Sequence, residues 1–335
     1  MHIPQVWFKL FASCFLVKGD AESLIYDTER GAFYPIPDEV AHLLEQTENK
    51  DVATVKATMP EAEKGLMDDF LQQFVEAELG FFTQTPECFP AIDLEWDYPA
   101  IISNAILEFD VDISYEVKHV IEELDELGCQ AMQWRILYPM SATLLEDYIR
   151  CLEKKRVRQV EILLPFELTY QQPVLQSLVD TYARISRIVL YAAPSDSVDP
   201  GVSVGIYHRK KDIRKDPVEI IHTDRFYANL EIFSEAQQHN VGLNRKVCID
   251  RTGTIRNYLN HATTFGNVRE QRIRPMVCTD AFRGKWFVSN GMIEGCKTCA
   301  YRYACVNNSD LNQEAGKWYK TTPCNYKDIP TGSPR

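Results

Sequence analysis

Apolar positions along the chain recur with three different rhythms. Between residues 5 and 84, "VWFKLFASCFLV" and "SLIYDTERGAFYPI" are rich in aromatic and aliphatic residues, and "KGDAE" between them predicts a β-hairpin. Gly31 in "TERG" predicts a further turn and so a three-stranded meander. Pro37 suits a first helical turn, with Val40, Leu43 and Leu44 following at helical spacing. Residues 51–58 read as a short helix ending before Pro60. A longer helix is predicted from Pro60 to Leu79, with Leu66, Phe70, Phe74 and Ala77 on its apolar face and Gly80 as its stop. Strands, then three helices, then "GFF" is a winged-helix-like order.

Residues 85–98, "TPECFPAIDLEWDY", carry two prolines and little periodicity, which predicts a linker. From 99 to 222 strand and helix patterns alternate. "AIISNAILEF", "AMQWRIL", "QVEILL" and "RIVLYA" are the strand runs. A helix near Ser114 turns Val117, Val120, Ile121, Leu124 and Leu127 inward and ends at Gly128; others are expected at 142–153 and 173–184. Such alternation predicts a parallel α/β sheet, and four or five units fit a partial (β/α) TIM-type barrel better than a closed eight-fold one. From 223 to 335 the rhythm fails: "KVCIDRTGTIRNY" reads as a hairpin around Gly253, and the rest has little periodicity. Weak core patterning over this length calls for another staple, such as a metal.

Charge and composition narrow the possibilities. A net charge of −12 excludes a general affinity for nucleic acid or anionic membrane. "HRKKDIRK" at 208–215 is the densest basic run and is expected to be a solvated loop. No run of about 18 apolar residues occurs, so no membrane span is expected. The start lacks a charged segment followed by a continuous apolar one, so the expected compartment is the cytoplasm. Ten cysteines there read as thiols or metal ligands.

Cys296, Cys299 and Cys305 form C-x2-C-x5-C, and Cys324 is the only cysteine downstream. Four thiolates saturate a tetrahedral zinc or one cubane iron–sulfur cluster, and the spacing alone does not choose between them. The cysteines at 14, 88, 129, 151, 248 and 278 show no pairing pattern, and Cys14 and Cys129, in or beside strand runs, read as small hydrophobes. No GxGxxG or GxxxxGK[ST] motif occurs. The histidines, including His119, His208, His222, His239 and His261, show no HExxH spacing. Glu108, Asp110 and Asp112 in "EFDVD" alternate along a strand, where a cation at a barrel mouth competes with the plainer reading of a solvated strand edge.

These cysteines, with "FKLFASCFLVKG", "ISNAILEFD", "EELDELGCQAMQWRI", "HNVGLNRKVCIDRTGTIRN", "FGNV" and "CKTCAYRYAC", resemble the SPASM-domain peptide maturases of grasp-with-spasm systems, across nearly the whole chain. The resemblance implies a PqqD-like leader-recognition unit (1–84), a radical SAM-like partial barrel (99–222) and a SPASM-like metal domain (223–335). Two departures stand out. Where the family places the cysteines of a first auxiliary cluster, this chain aligns Gly242, Tyr258 and Ser309, beside Asn308, with Gly253 at the family's glycine. The CxxxCxxC motif that holds the reactive cluster is missing, since no cysteine lies between Cys88 and Cys129. The implied function is a precursor-peptide-binding component of a ribosomal peptide pathway, partnered by an ATP-grasp ligase. It would hold one [4Fe–4S] cluster or a zinc on Cys296, Cys299, Cys305 and Cys324 and make no use of S-adenosylmethionine. The alternatives are a redox enzyme using that single cluster and a zinc-stapled adaptor.

Overall fold

The computed structural model describes residues 5–167, 172–199, 205–216, 226–322 and 324. The boundary expected near 222, and His222 itself, lie outside them. The architecture is mixed α/β.

The expected meander is the antiparallel sheet β2 (Cys14–Val17), β3 (Ser23–Asp27) and β4 (Ala32–Ile36). The first aromatic run is not one strand. A turn closed by the Cys14 amide donating to the Phe11 carbonyl at 2.8 Å splits it, and β1 (Trp7–Leu10) pairs antiparallel with β5 (Gly80–Thr83), Leu10 opposite Gly80. Gly80 is therefore not the helix stop that its position suggests. A Cβ there would lie 2.5 Å from Phe8 Cζ and 2.7 Å from the Lys9 carbonyl oxygen, so glycine is required by the close approach of β1. The left-handed turn after the helix falls to Glu78, at φ 54°.

Between β4 and β5 lie α1 (Asp38–Glu48), α2 (Val52–Ala57) and α3 (Glu61–Glu76). Asp51 caps α2 by accepting the Thr54 amide at 3.0 Å. The buried face of α3 is Met67, Leu71 and Phe74, while Leu66 is 56% exposed. Of the expected stripe Phe74 is buried and Phe70 packs against the same core, while Leu66 and Ala77 face out and Met67 and Leu71 take the inward positions. Met67 and Leu71, four apart, point together into the cluster of Phe8, Val40, Leu43 and Leu44, and Leu66 sits about 100° around the helix from Met67.

Beyond the linker come β6 (Asn104–Phe109), α4 (Val117–Glu126), β7 (Ala131–Ile136), α5 (Ala142–Arg150), β8 (Gln159–Pro165), α6 (Gln172–Thr181), β9 (Ile185–Tyr191), β10 (Ser197–Val198) and β11 (Ile206–Arg209). After α7 (Leu230–Gln238), β12 (Lys246–Ile249) and β13 (Ile255–Arg256) complete an eight-stranded sheet in the order β10-β11-β9-β8-β7-β6-β12-β13. Its interior pairs are parallel, and β10 and β13 are antiparallel edges. The "KVCIDRTGTIRNY" hairpin is present, but it is no separate module. Its first strand lies parallel to β6, with Asn104 opposite Lys246. The basic run at 208–215 also differs from expectation, because its first residues belong to β11. Asp199 and Asp212 balance it through His208 at 3.2 Å and Arg214 at 2.9 Å.

Alternation along these strands sorts their side chains. Leu107, Trp134, Ile162, Ile188 and Val247 face α4, α5 and α6 in one apolar core. Opposite, Gln133 donates to Glu161 at 2.7 Å, and Arg135, buried in the sheet, donates to Gln133 at 2.7 Å and to the Tyr258 hydroxyl at 3.3 Å. Beyond α4 the chain turns at Gly128, φ +90°, where a Cβ would lie 2.7 Å from Ala100 Cβ.

The last part holds α8 (Ile273–Val277), α9 (Asp280–Arg283) and the hairpin β14 (Leu311–Glu314) with β15 (Lys317–Lys320), joined by turns. Among the described residues no helix is long and apolar enough to cross a membrane.

Candidate functional site

The cysteine segment is wound by its own backbone. Gly295 takes a left-handed turn at φ 77°. Amides then reach back three residues: Cys296 to the Ile293 carbonyl at 3.0 Å, Cys299 to Cys296 at 2.9 Å and Arg302 to Cys299 at 3.1 Å. The buried Asn290 side chain donates to the carbonyls of Arg302 at 2.9 Å and Cys305 at 3.2 Å, fixing the far end. The β14–β15 hairpin then returns the chain, placing Lys320 and Cys324 beside the loop.

The four sequence-selected cysteines lie near enough here to act on one another electrostatically. Burial pushes the Cys299 thiol up to about 11, and Cys305, Cys296 and Cys324 add to that shift. Burial also raises Cys305; Lys320 opposes it, while Cys296 and Cys324 act upward. For Lys320 burial works against the charge, but those three thiols and a hydrogen bond to Cys296 prevail and raise its pKa. Sulfur donors of this number suit a thiophilic ion or an iron–sulfur cluster. Among the described residues, however, no group of three or more His, Cys, Asp or Glu side chains is arranged to hold a metal ion. The thiols share a neighbourhood without closing a coordination sphere. Lys320 was not legible as part of this site; its only sequence signal is a place on a strand four residues before Cys324.

The positions aligned with a first auxiliary cluster are filled by packed protein. Tyr258 is buried among Ile106, Leu243, Cys248, Val288, Ile293 and Leu311. Gly242 lies flat against the Asn307 backbone, which leaves no room for a side chain. His261 Nε2 is 3.0 Å from the Asn308 carbonyl and Nδ1 is 3.5 Å from Asp310, which also pairs with Lys285. The Ser309 amide donates to Asn307 Oδ1 at 3.0 Å. Gly253, at φ +83°, serves the β12–β13 turn, where Asp250 accepts the amides of Thr252 and Thr254.

The cysteine loop is also the seat of the front sheet. The Tyr26 hydroxyl, the Lys18 carbonyl and the Asp20 amide bond to Ala300, Arg302 and Thr298 at 2.7, 2.6 and 2.9 Å. Val17, Leu24, Tyr26, Phe233, Ala300, Tyr301 and Ala304 form one apolar cluster across this junction, and Phe15 stacks on Phe233 at 4.2 Å. Beside it a groove of about 880 Å³ runs between β1, β2, the end of α1 and the segment from Cys88 to Leu94. Two smaller clefts share Asn104, Ala131 and Gln159 at the beginnings of the parallel strands.

The remaining candidates resolve as structural. Glu108, raised chiefly by burial, accepts the Arg251 amide at 3.3 Å, and Asp110 pairs with Arg251 at 3.1 Å. Asp112 is exposed. His119 pairs with Glu123 at 3.0 Å, and the His239 ring lies 5.3 Å from that of Trp96. Cys14, Cys129 and Cys248 are buried, Cys151 is half-buried, and Cys88 and Cys278 are exposed.

No family model and no curated protein matches the chain. Among solved structures, Streptococcus suis SuiB bound to S-adenosylmethionine aligns with 90% of this chain and 94% of its own, at 9% identity and a TM-score of 0.36. SuiB bound to the precursor peptide SuiA aligns over the same shares, at 8% identity and a TM-score of 0.31. A superposition this loose does not establish a common fold.

Proposed function

We propose that this chain is a precursor-peptide-binding component of a ribosomal peptide maturation system that works beside an ATP-grasp ligase. The observation that carries the reading is the front unit. It is a small antiparallel sheet with open strand edges, clasped to a four-thiol loop, and a large apolar groove lies along the junction. An open edge holds an extended peptide through main-chain hydrogen bonds, while the groove takes its side chains. In this reading the front unit is winged-helix-like, the parallel sheet is a partial barrel serving as scaffold, and the C-terminal region is SPASM-like.

The metal belongs to the same reading. Cys296, Cys299, Cys305 and Cys324 hold one [4Fe–4S] cluster or a zinc ion as a staple, because four thiolates leave no open position for substrate. Tyr258 and Ser309, both buried where a first cluster's ligands would stand, support a single metal site. The lack of cysteine between Cys88 and Cys129 supports the absence of S-adenosylmethionine radical chemistry. One observation favours the redox alternative: Lys320 bonds to Cys296, and hydrogen bonds to cluster sulfurs tune reduction potential.

The test is capture of the peptide encoded beside the gene by the full-length chain. Retention of that peptide and of the ligase supports the reading, and failure to retain the peptide sinks it.

A further inference from the structure

The three-stranded sheet of the front unit has two edge strands, β2 and β4, and they are not equivalent. β4 carries Pro35, which has no amide hydrogen to donate, and Pro37 follows directly. β2 pairs with β3 on one side, from Cys14 opposite Asp27 to Val17 opposite Leu24, and among the described residues no strand pairs with its other side. That open side borders the groove. Cys14, Phe15 and Leu16 line it from β2 and Lys18 from just beyond that strand, Phe8 to Leu10 line it from β1 and Phe11 from the turn after it, and Phe89 to Ile92 close it from the segment before β6.

The groove's charges also point one way. Lys18 is neutralised by Glu45 at 2.9 Å. Among the described residues no carboxylate pairs with Lys9 or Arg302; Arg302 donates only to the carbonyls of Lys18 and Cys299, at 2.6 and 3.0 Å. Glu48, exposed at the rim, is the one acid left in the lining. Two cations without acidic partners, in an apolar groove of a chain with net charge −12, complement an acidic occupant.

We infer that the groove between β1 and β2 is the peptide seat, and that it takes an extended segment alternating apolar and acidic residues, paired with the free edge of β2. This rests on the peptide-handling reading above and deepens it. An extended strand shows alternate residues to opposite faces. Apolar side chains would enter toward Leu10, Leu16 and Phe89, and carboxylates would reach Lys9 and Arg302. Arg302 ties the seat to the cysteine loop, because its guanidinium already holds Cys299.

The experiment uses the full chain and two fluorescein-labelled twelve-residue peptides, one alternating leucine with aspartate and one with lysine in place of aspartate. Fluorescence anisotropy should show the aspartate peptide binding about tenfold or more tightly than the lysine peptide. Lys9→Glu should weaken the aspartate peptide by a similar factor of about ten and narrow the preference, while Tyr34→Lys on β4 leaves binding unchanged. The comparison of the two peptides needs no substitution, so it holds even if Lys9→Glu impairs folding. Equal binding of both peptides, no binding of either, or sensitivity to Tyr34→Lys alone overturns the inference. Those outcomes leave the wider reading to stand or fall on capture of the neighbouring gene's peptide.

Discussion

The Tyr26 hydroxyl donates to the Ala300 carbonyl at 2.7 Å, joining a strand of the front sheet to the middle of the cysteine loop across 274 positions of sequence. Both residues are buried, so the carbonyl has no solvent substitute. Burial, with the neighbouring Cys299 thiol adding to it, drives the Tyr26 phenol far above its usual range, so the hydroxyl keeps the proton it donates. The bond makes the order of the loop and the seating of the front unit one property.

Tyr26→Phe removes that donor and leaves the Ala300 carbonyl unpaired. The expected loss is about 1–3 kcal/mol in chemical denaturation. Gly19→Ala should act on the same junction more severely, since the new Cβ would meet the Ala300 amide nitrogen at 2.6 Å and the Thr298 carbonyl oxygen at 2.9 Å. Faster proteolysis within 85–98 would show the front unit loosening, and unchanged cleavage would refute the coupling.

Cys305→Ser should abolish stoichiometric metal, measured by elemental analysis of anaerobically purified protein. Iron with sulfide identifies the cluster, and zinc identifies the staple. Lys320→Met should leave the metal content intact and shift the reduction potential if the ion is a cluster. Full metal in Cys305→Ser would remove this thiol from the ligand set.

Glu235 gives a pH-dependent contribution whose sign is set. Burial pushes its carboxyl up to about 7; the Asn244 hydrogen bond opposes this and Glu231 adds to it. The folded state thus keeps a proton that the unfolded state releases near the usual carboxylate range, so this group's contribution falls as pH rises from about 4.5 toward 7 and is fully unfavourable above that. Glu235→Gln should stabilise the protein at pH 8 by on the order of 2 kcal/mol and change little near pH 4. An equal effect at both pH values would contradict the burial argument.

The α3 face can be read directly from two leucines. Leu71→Ala is expected to cost about 2–5 kcal/mol and Leu66→Ala less than about 0.5. Comparable losses would restore the stripe that the sequence suggests.

That stripe marks where sequence legibility ends. Strand–helix alternation from β6 to β9, the β2–β3–β4 meander and the three helices between β4 and β5 all follow from local periodicity, because each element's buried positions are set by its own neighbours. Pairings between distant segments have no such local signature. Nothing in "VWFKLF" says that it will pair with "GFFT", and nothing in "KVCI" says that it will lie beside "NAIL" rather than form a free hairpin. At the candidate site the four cysteines declare themselves by spacing. Lys320, Tyr26 and Asn290 do not, since a lysine on a strand, a buried tyrosine and an asparagine in a turn are ordinary residues until the fold brings them to the loop. The groove was equally hidden, being lined by six separate stretches of the chain.

The placement of β12 beside β6 has a consequence for synthesis. As the chain emerges from the ribosome, β1 can meet β5 as soon as the front unit is out, and β6 through β9 can zip together one after another. The far edge of β6 must wait until Ile249 has cleared the exit tunnel. During that interval an apolar strand stands with one row of main-chain groups unpaired, open to capture by a chaperone or by another nascent chain. The rate of elongation between residues 110 and 250 therefore sets how long this protein is vulnerable, and slow codons there should lower its soluble yield more than slow codons anywhere else.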